Sequence, residues 1–118
     1  MRKTFQRMAI AGTAALCLLV AGPVGSAMAI DRVGCGDRDD FLRLNISHGD
    51  GLGTGVCFAN EGVTAVNEGG VYSFSSGANK VTVNYELNGL YYTSTLDPWQ
   101  GVGFPKEVTV RVYEVRIW

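Results

Sequence analysis

The stretch "KVTVNYELNGLYYTSTL", residues 80–96, decides the fold class, because it has the pattern of a β-hairpin. Val81, Val83 and Tyr85 alternate with polar residues, and alternation with a period of two is typical of a half-buried strand. Asn88-Gly89 follows, the dipeptide that suits a type I′ turn, since both central residues of that turn need a positive φ. The sequence therefore predicts two antiparallel strands joined by a two-residue turn.

The rest of the chain continues the strand pattern on both sides of this hairpin. Four further strands are predicted, at residues 40–47, 56–60, 71–76 and 107–118. In the last of them the apolar residues switch from even-numbered to odd-numbered positions at Tyr113, which indicates a bulge. Residues 61–70 and 97–106 are predicted connections, because they are rich in glycine, asparagine or proline. Short strands with glycine turns and no helical periodicity predict an all-β sandwich or barrel.

The N-terminus has the three parts of a secretory signal peptide. A basic "MRKTFQR" precedes an apolar run, and small residues at Ala27 and Ala29 form an A-x-A cleavage site. The apolar run is shorter than the roughly 18 residues that a membrane-spanning helix needs. We therefore expect residues 1–29 to be removed. Residues 30–118 would form a single secreted, extracellular domain without a membrane anchor.

The predicted mature domain is acidic. Three of the ten basic residues lie in the predicted signal peptide, whereas all eleven acidic residues follow it. An acidic domain without a basic run is a poor match for nucleic acid or for an anionic membrane surface. We expect neither as a partner.

Two of the three cysteines, Cys35 and Cys57, lie in the predicted mature domain; Cys17 lies in the signal peptide. An even cysteine count in a small secreted domain predicts a disulfide, which would stabilise the fold by roughly 3 kcal/mol. A zinc site or a cysteine nucleophile is a poor alternative. His48 is the only histidine to complete a metal site or to act as a base.

Aromatic residues are the remaining functional candidates. Tyr91, Trp99 and Phe104 lie in or near the hairpin and its exit segment, and exposed aromatic rings stack on sugar rings. The alternative is that these rings are core and corner residues of a small sandwich. No pattern of catalytic residues accompanies them, so we expect a binding protein and not an enzyme.

Three segments, "CFANEG", "SSGANKVTVNY" and "DPWQ", resemble secreted bacterial βγ-crystallin-like domains, which include the killer-toxin-like proteins of streptomycetes. The resemblance extends over almost all of residues 30–118. It implies one βγ-crystallin sandwich of two Greek-key motifs, and a disulfide between the positions of Cys35 and Cys57. It further implies action against yeasts and filamentous fungi through the cell wall, without an enzymatic activity.

The chain departs from calcium-binding members of that family. Those proteins carry an (Asn/Asp)-(Asn/Asp)-x-x-(Ser/Thr)-Ser stretch in each motif, and "GANKVT" fails at required positions. Calcium needs several oxygen ligands, for which this chain has candidates without a guaranteed spacing. We expect no cofactor and no dedicated metal site, and weak calcium binding stays an alternative. The candidate oxygen ligands are Asp39, Asp40, Asn67, Glu68 and Ser75.

Three functional hypotheses follow. The first is a secreted, monomeric, non-enzymatic antifungal protein that binds a fungal cell-wall polysaccharide or an extracellular protein. The second is an inhibitor of an extracellular protease, in which residues 97–106 form a binding loop that Pro98 and Pro105 stiffen. The third is a structural module that binds calcium weakly.

Overall fold

The computed structural model describes residues 30–49 and 51–118; the predicted signal peptide, with Cys17, and Asp50 lie outside the described residues. The described residues form eight β-strands and no helix, so the predicted all-β fold is confirmed. The strands are β1 (Asp31–Val33), β2 (Leu42–Ser47), β3 (Gly53–Ala59), β4 (Gly62–Ser75), β5 (Val81–Leu87), β6 (Leu90–Leu96), β7 (Gly101–Gly103) and β8 (Val110–Ile117).

Hydrogen bonds link the strands in the order β1-β3-β2-β4-β8-β5-β6, and β7 pairs with β4. The 14-residue strand β4 takes part in both layers of a sandwich. Its C-terminal part lies between β2 and β7 in the first layer, and its N-terminal part pairs with β8 in the second. Two register shifts between Ala65 and Val71 separate the parts.

The prediction that residues 61–70 form a connection is wrong, because β4 begins at Gly62. Val63, Thr64 and Ala65 pair with β8, and their exposure alternates as in any half-buried strand. The glycines that suggested a loop lie at the irregular centre of the strand, where a bulge tolerates them. Residues 97–106 likewise contain the short strand β7, which pairs with residues 73–75.

The hairpin and the C-terminal bulge are confirmed. Asn88 and Gly89 have φ of 54° and 81°, as a type I′ turn requires. The pairing of β5 with β8 shifts by one residue at Tyr113, because Asn84 faces Glu114 and Tyr85 faces Val112. The extra residue at the bulge compensates for the switch in the alternation of apolar residues. Valines before and after the bulge therefore both point into the core.

One hydrophobic core joins the two layers. Phe58 and Phe74 are its largest fully buried side chains. Burying a large apolar side chain contributes roughly 2–3 kcal/mol before entropy is counted. The core also contains Leu42, Leu44, Ile46, Val56, Val71, Val81, Val83, Leu96, Val110, Val112, Val115 and Ile117.

The predicted disulfide is present between Cys35 and Cys57, whose Cα atoms lie 5.3 Å apart. Strand β1 has only three residues, and it pairs with β3 at Ala59, Phe58 and Cys57. So short a strand holds few ladder hydrogen bonds. The disulfide therefore secures the N-terminal arm to the first layer.

Candidate functional site

Trp99 lies on a short, exposed turn between β6 and β7, and 64% of its surface is accessible. Its φ is 64°, in the left-handed region that costs a non-glycine residue about 1–2 kcal/mol. Its backbone N–H donates to the carbonyl of Gly77 at 2.6 Å. The turn therefore presents the indole to solvent while its backbone is fixed to the body of the domain.

Ser76 fixes the Trp99 turn to the body of the domain. The side chain of Ser76 is fully buried, and its hydroxyl donates to the carbonyl of Asp97 at 2.7 Å. The same oxygen accepts from the N–H of Gln100 at 2.9 Å. Both sides of the Pro98-Trp99 tip are thus tied to one buried group, which holds the tip in a single conformation.

A third segment, ending at Asp40, completes the base of the turn. The amide of Asn79 donates to the carbonyls of Asp40 at 3.0 Å and of Ser76 at 3.1 Å. Arg38 holds the Asp40 carboxylate with two hydrogen bonds, of 2.8 and 2.6 Å. This hydrogen bonding, with the positive charge of Arg38, lowers the pKa of Asp40 below its usual range.

A cleft of about 320 Å³ opens beside the indole. Its lining includes Trp99, Asp39 and Gln100, which carry an aromatic ring, a carboxylate and an amide. Such a set can stack one face of a sugar ring and exchange hydrogen bonds with its hydroxyl groups. Ser75, Gly77 and Gly101 complete the lining.

Tyr91 is also exposed, at 65%, but it lies at the opposite end of β6 from the Trp99 turn. The strand between Tyr91 and Leu96 spans roughly 17 Å. The aromatic neighbour of Tyr91 is Tyr113, whose ring meets it edge-on at 5.5 Å. Tyr91 and Trp99 are therefore two separate features of one chain.

Phe104 occupies a third place. It is partly buried, and its ring packs against those of Phe74 at 6.0 Å and Tyr85 at 5.4 Å. Its neighbours make it a ring at the edge of the core. The structure thus does not bring Tyr91, Trp99 and Phe104 into one aromatic surface.

Some residues of the Trp99 cleft, and some exposed aromatic residues outside it, were missed at the level of the sequence. Gln100 lines the Trp99 cleft without lying in a pattern that marks a binding residue, and Asp39, which also lines it, was expected only as a candidate calcium ligand. The position of Tyr113 could be predicted, because the switch in apolar alternation in the last strand placed it at a bulge. Trp118 had no such signal: it is 56% exposed, with the guanidinium of Arg116 4.4 Å from its ring.

A second cleft, also of about 320 Å³, lies on the far side of residues 97–106. Leu52, Tyr72 and Phe104 contribute apolar side chains to its lining, and Lys106 and Glu107 contribute charged ones. Glu107 has a φ of 66°, so the turn before β8 is sharp there. Residues 97–106 thus contribute to both clefts: residues 99–101 line the first, and residues 104–106 line the second.

Three of the five candidate calcium ligands are engaged by arginine side chains. Arg38 holds Asp40, Arg32 contacts Glu68 at 2.7 Å, and Arg111 donates to the amide oxygen of Asn67 at 3.3 Å. Within the described residues, no three His, Cys, Asp or Glu side chains are grouped as metal ligands. In the same residues there is no helix with the length and apolarity to cross a membrane.

Two antiparallel layers that share one long strand, closed by a hairpin and a disulfide, define a crystallin-type Greek-key sandwich. The beta/gamma crystallin family model matches residues 45–116, so the chain belongs to the beta/gamma crystallin family. The fold is similar to the solution structure of an antifungal protein from Streptomyces tendae Tü901. The two are 28% identical with a TM-score of 0.61, over 76% of this chain and 100% of that one. No curated protein matches the chain significantly.

Proposed function

We propose that this chain is a secreted antifungal protein that acts by binding a polysaccharide of the fungal cell wall through the Trp99 turn. The observation that carries the proposal is the exposed indole of Trp99 on a turn fixed by buried hydrogen bonds. The similarity to the Streptomyces antifungal protein supports the antifungal role. The Cys35–Cys57 disulfide supports an extracellular location, because structural disulfides persist in oxidising compartments.

The geometry favours binding because it is organised before the ligand arrives. A side chain on a fixed backbone loses little freedom on binding, so more of the contact energy is available as affinity. The left-handed φ of Trp99 is a local strain, and strain of this kind is concentrated at functional sites. The fixed turn accounts for how a tryptophan is kept in that conformation.

The chemistry of the cleft fits a neutral carbohydrate. Trp99 offers an aromatic ring, Asp39 can accept hydrogen bonds from hydroxyl groups, and the amide NH₂ of Gln100 can donate, while its oxygen accepts from the backbone N–H of Asp97 at 2.9 Å. We propose binding without a catalytic step. The cleft is shallow, with one carboxylate in its lining and no facing base.

The test is retention on insoluble chitin, β-glucan and whole yeast wall. Trp99→Ala should lose on the order of 30-fold in affinity, the effect of removing a central aromatic contact worth about 2 kcal/mol. Trp118→Ala is the matched control, since it removes another exposed tryptophan that does not line the cleft, and it should bind as the wild type does. Equal retention of both variants, or no retention of the wild type on any wall fraction, would contradict the proposal.

Trp99→Gly separates binding from folding. Glycine adopts a φ of 64° without strain, so this variant should be as stable as the wild type or more stable by about 1 kcal/mol. It should still lose wall binding, because the ring is absent. A loss of both stability and binding would mean that the indole supports the fold and that its role in binding is indirect.

The fixed turn also supports the second candidate function, inhibition of an extracellular protease. Protease inhibitors present a rigid binding segment, and residues 97–100 form an exposed turn whose backbone is fixed by Ser76. A panel of secreted proteases is the test, with Trp99→Ala as the variant. Inhibition that Trp99→Ala abolishes would favour this function, and unchanged proteolysis across the panel would remove it.

A further inference from the structure

Strand β6 is an open edge of the second layer. It is last in the strand order, and among the described residues it pairs only with β5. A two-residue turn makes Leu87 and Leu90 a hydrogen-bonded pair, and such pairs alternate along an antiparallel ladder. The N–H and C=O groups of Tyr91, Thr93 and Thr95 therefore point away from β5, toward solvent.

The other edges of the sandwich have the usual protection against pairing with another chain. β1 has three residues, two of them charged, and β7 has three residues, two of them glycine. The N-terminal part of β4 carries two register shifts. Short, charged or irregular edges such as these resist edge-to-edge association.

β6 has none of these protective features. Its sequence, "LYYTSTL", contains no charged residue and no proline. It runs in unbroken register with β5 over seven residue pairs. Leu90 and Tyr91 at its start are 61% and 65% exposed. A regular, uncharged edge of this length is a ready template for another strand.

We infer that β6 pairs with β6 of a second copy of this chain, antiparallel and with its two-fold axis at Thr93. In this register Thr93 faces itself and Tyr91 in each copy faces Thr95 in the other, a favourable pairing of an aromatic with a β-branched side chain. The absence of charge on the strand means that no like charges meet across the axis. The contact is isologous, so it closes with two copies.

The dimer would change the arrangement of exposed aromatic residues. In the inferred register Leu90 of each copy lies opposite Leu96 of the other. The Tyr91 end of one strand thereby meets the strand end that leads into the Trp99 turn of the other copy. Two features that are separate in one chain become neighbours across the interface. Only this consequence rests on the proposed function; the pairing itself does not.

The test is the molar mass of the protein, expressed from its full coding sequence, across a wide concentration range. Light scattering with size-exclusion chromatography should show a rise toward twice the single-chain mass. Thr93→Lys and Thr93→Glu should each stay at the single-chain mass, because like charges then meet at the axis. An equimolar mixture of the two variants should recover the doubled mass, since opposite charges then face each other.

Thr109→Lys and Thr109→Glu are controls that change an exposed threonine outside β6, and they should associate as the wild type does. A wild type that keeps the single-chain mass throughout would overturn the inference, as would Thr93 variants that associate like the wild type. A measurement that needs no variant is amide hydrogen exchange. The N–H groups of Tyr91, Thr93 and Thr95 should exchange more slowly as the protein concentration rises, and unchanged rates would also overturn the inference.

Discussion

Ser76 and Gln100 hold each other through two hydrogen bonds. The backbone N–H of Ser76 donates to the carbonyl of Gln100 at 2.9 Å, and the N–H of Gln100 donates to the Ser76 hydroxyl at 2.9 Å. One bond depends on the backbone alone, and the other depends on a single buried oxygen. The contribution of the serine side chain to the Trp99 turn can therefore be isolated by substitution.

Ser76→Ala should lower the free energy of unfolding by about 1–3 kcal/mol, because it leaves the N–H of Gln100 and the carbonyl of Asp97 without their buried partner. The backbone bond between Ser76 and Gln100 remains, so the fold should persist. Urea denaturation followed by circular dichroism measures the change. Ser94→Ala, at a half-buried serine outside this network, should change stability by much less; equal effects would refute the role of the hydroxyl.

Gly77→Ala should be among the most damaging single substitutions. Gly77 has a φ of 62°, and a Cβ there would overlap the backbone of Asp40 and come within 2.5 Å of the carbonyl oxygen of Phe41. Strain and overpacking together predict a loss of about 3–5 kcal/mol. Gly89→Ala is the control, since its φ is 81° but nothing lies within 4 Å of the added atom. It should cost only about 1–2 kcal/mol in thermal or urea unfolding.

Arg38→Gln should raise the pKa of Asp40 toward its usual range, because it removes the positive charge and weakens the hydrogen bonding that lower it. A carboxyl group with a lowered pKa in the folded state stabilises that state above its unfolded pKa. This contribution is lost as the pH falls through the folded pKa. Carboxyl ¹³C titration by NMR follows the change. Arg32→Gln, which removes the partner of Glu68, should leave the Asp40 titration where it is.

Removal of the disulfide should destabilise the domain by roughly 3 kcal/mol, given a separation of 22 residues between its cysteines. The paired substitution Cys35→Ser with Cys57→Ala suits the sites, because Cys57 is 1% exposed and would not tolerate a new hydroxyl group well. Thermal unfolding of this variant should match that of the reduced wild type. A melting temperature unaffected by reductant would show that β1 is held without the bond.

Calcium should leave the melting temperature unchanged. The side-chain oxygens of Asp40, Asn67 and Glu68 are each engaged by a different arginine. A ligand that binds only the folded state raises the melting temperature with its concentration. Scanning calorimetry with added calcium, and with a chelator as control, measures this. A clear rise with calcium would restore the hypothesis of a weakly calcium-binding module.

The fold could be predicted from local chemistry because its decisive signals are local. Alternation in β5 and the Asn88-Gly89 dipeptide specify a hairpin without reference to the rest of the chain. The failure at residues 61–70 has the opposite cause. Their composition is that of a loop, and only pairing with β8, some fifty residues away, makes them a strand.

The candidate site was less predictable than the fold. Tyr91, Trp99 and Phe104 are close in sequence, but they lie in three different environments. Tyr91 is exposed on β6, Trp99 is exposed on the turn after β6, and Phe104 packs at the edge of the core. The features that fix Trp99 are a buried hydroxyl at Ser76 and a glycine at Gly77, both more than twenty residues away in the chain. Contacts between residues so far apart in the chain cannot be predicted from the spacing of residues along the sequence.

The long strand β4 has a consequence for how the domain unfolds. Because β4 supplies ladder partners to both layers, loss of order in one layer should also remove strand pairing from the other. The sandwich should therefore melt as a single cooperative unit, in which tryptophan fluorescence and far-ultraviolet circular dichroism report one coincident transition. We expect the two layers to unfold together, and neither to persist as an independent folding unit.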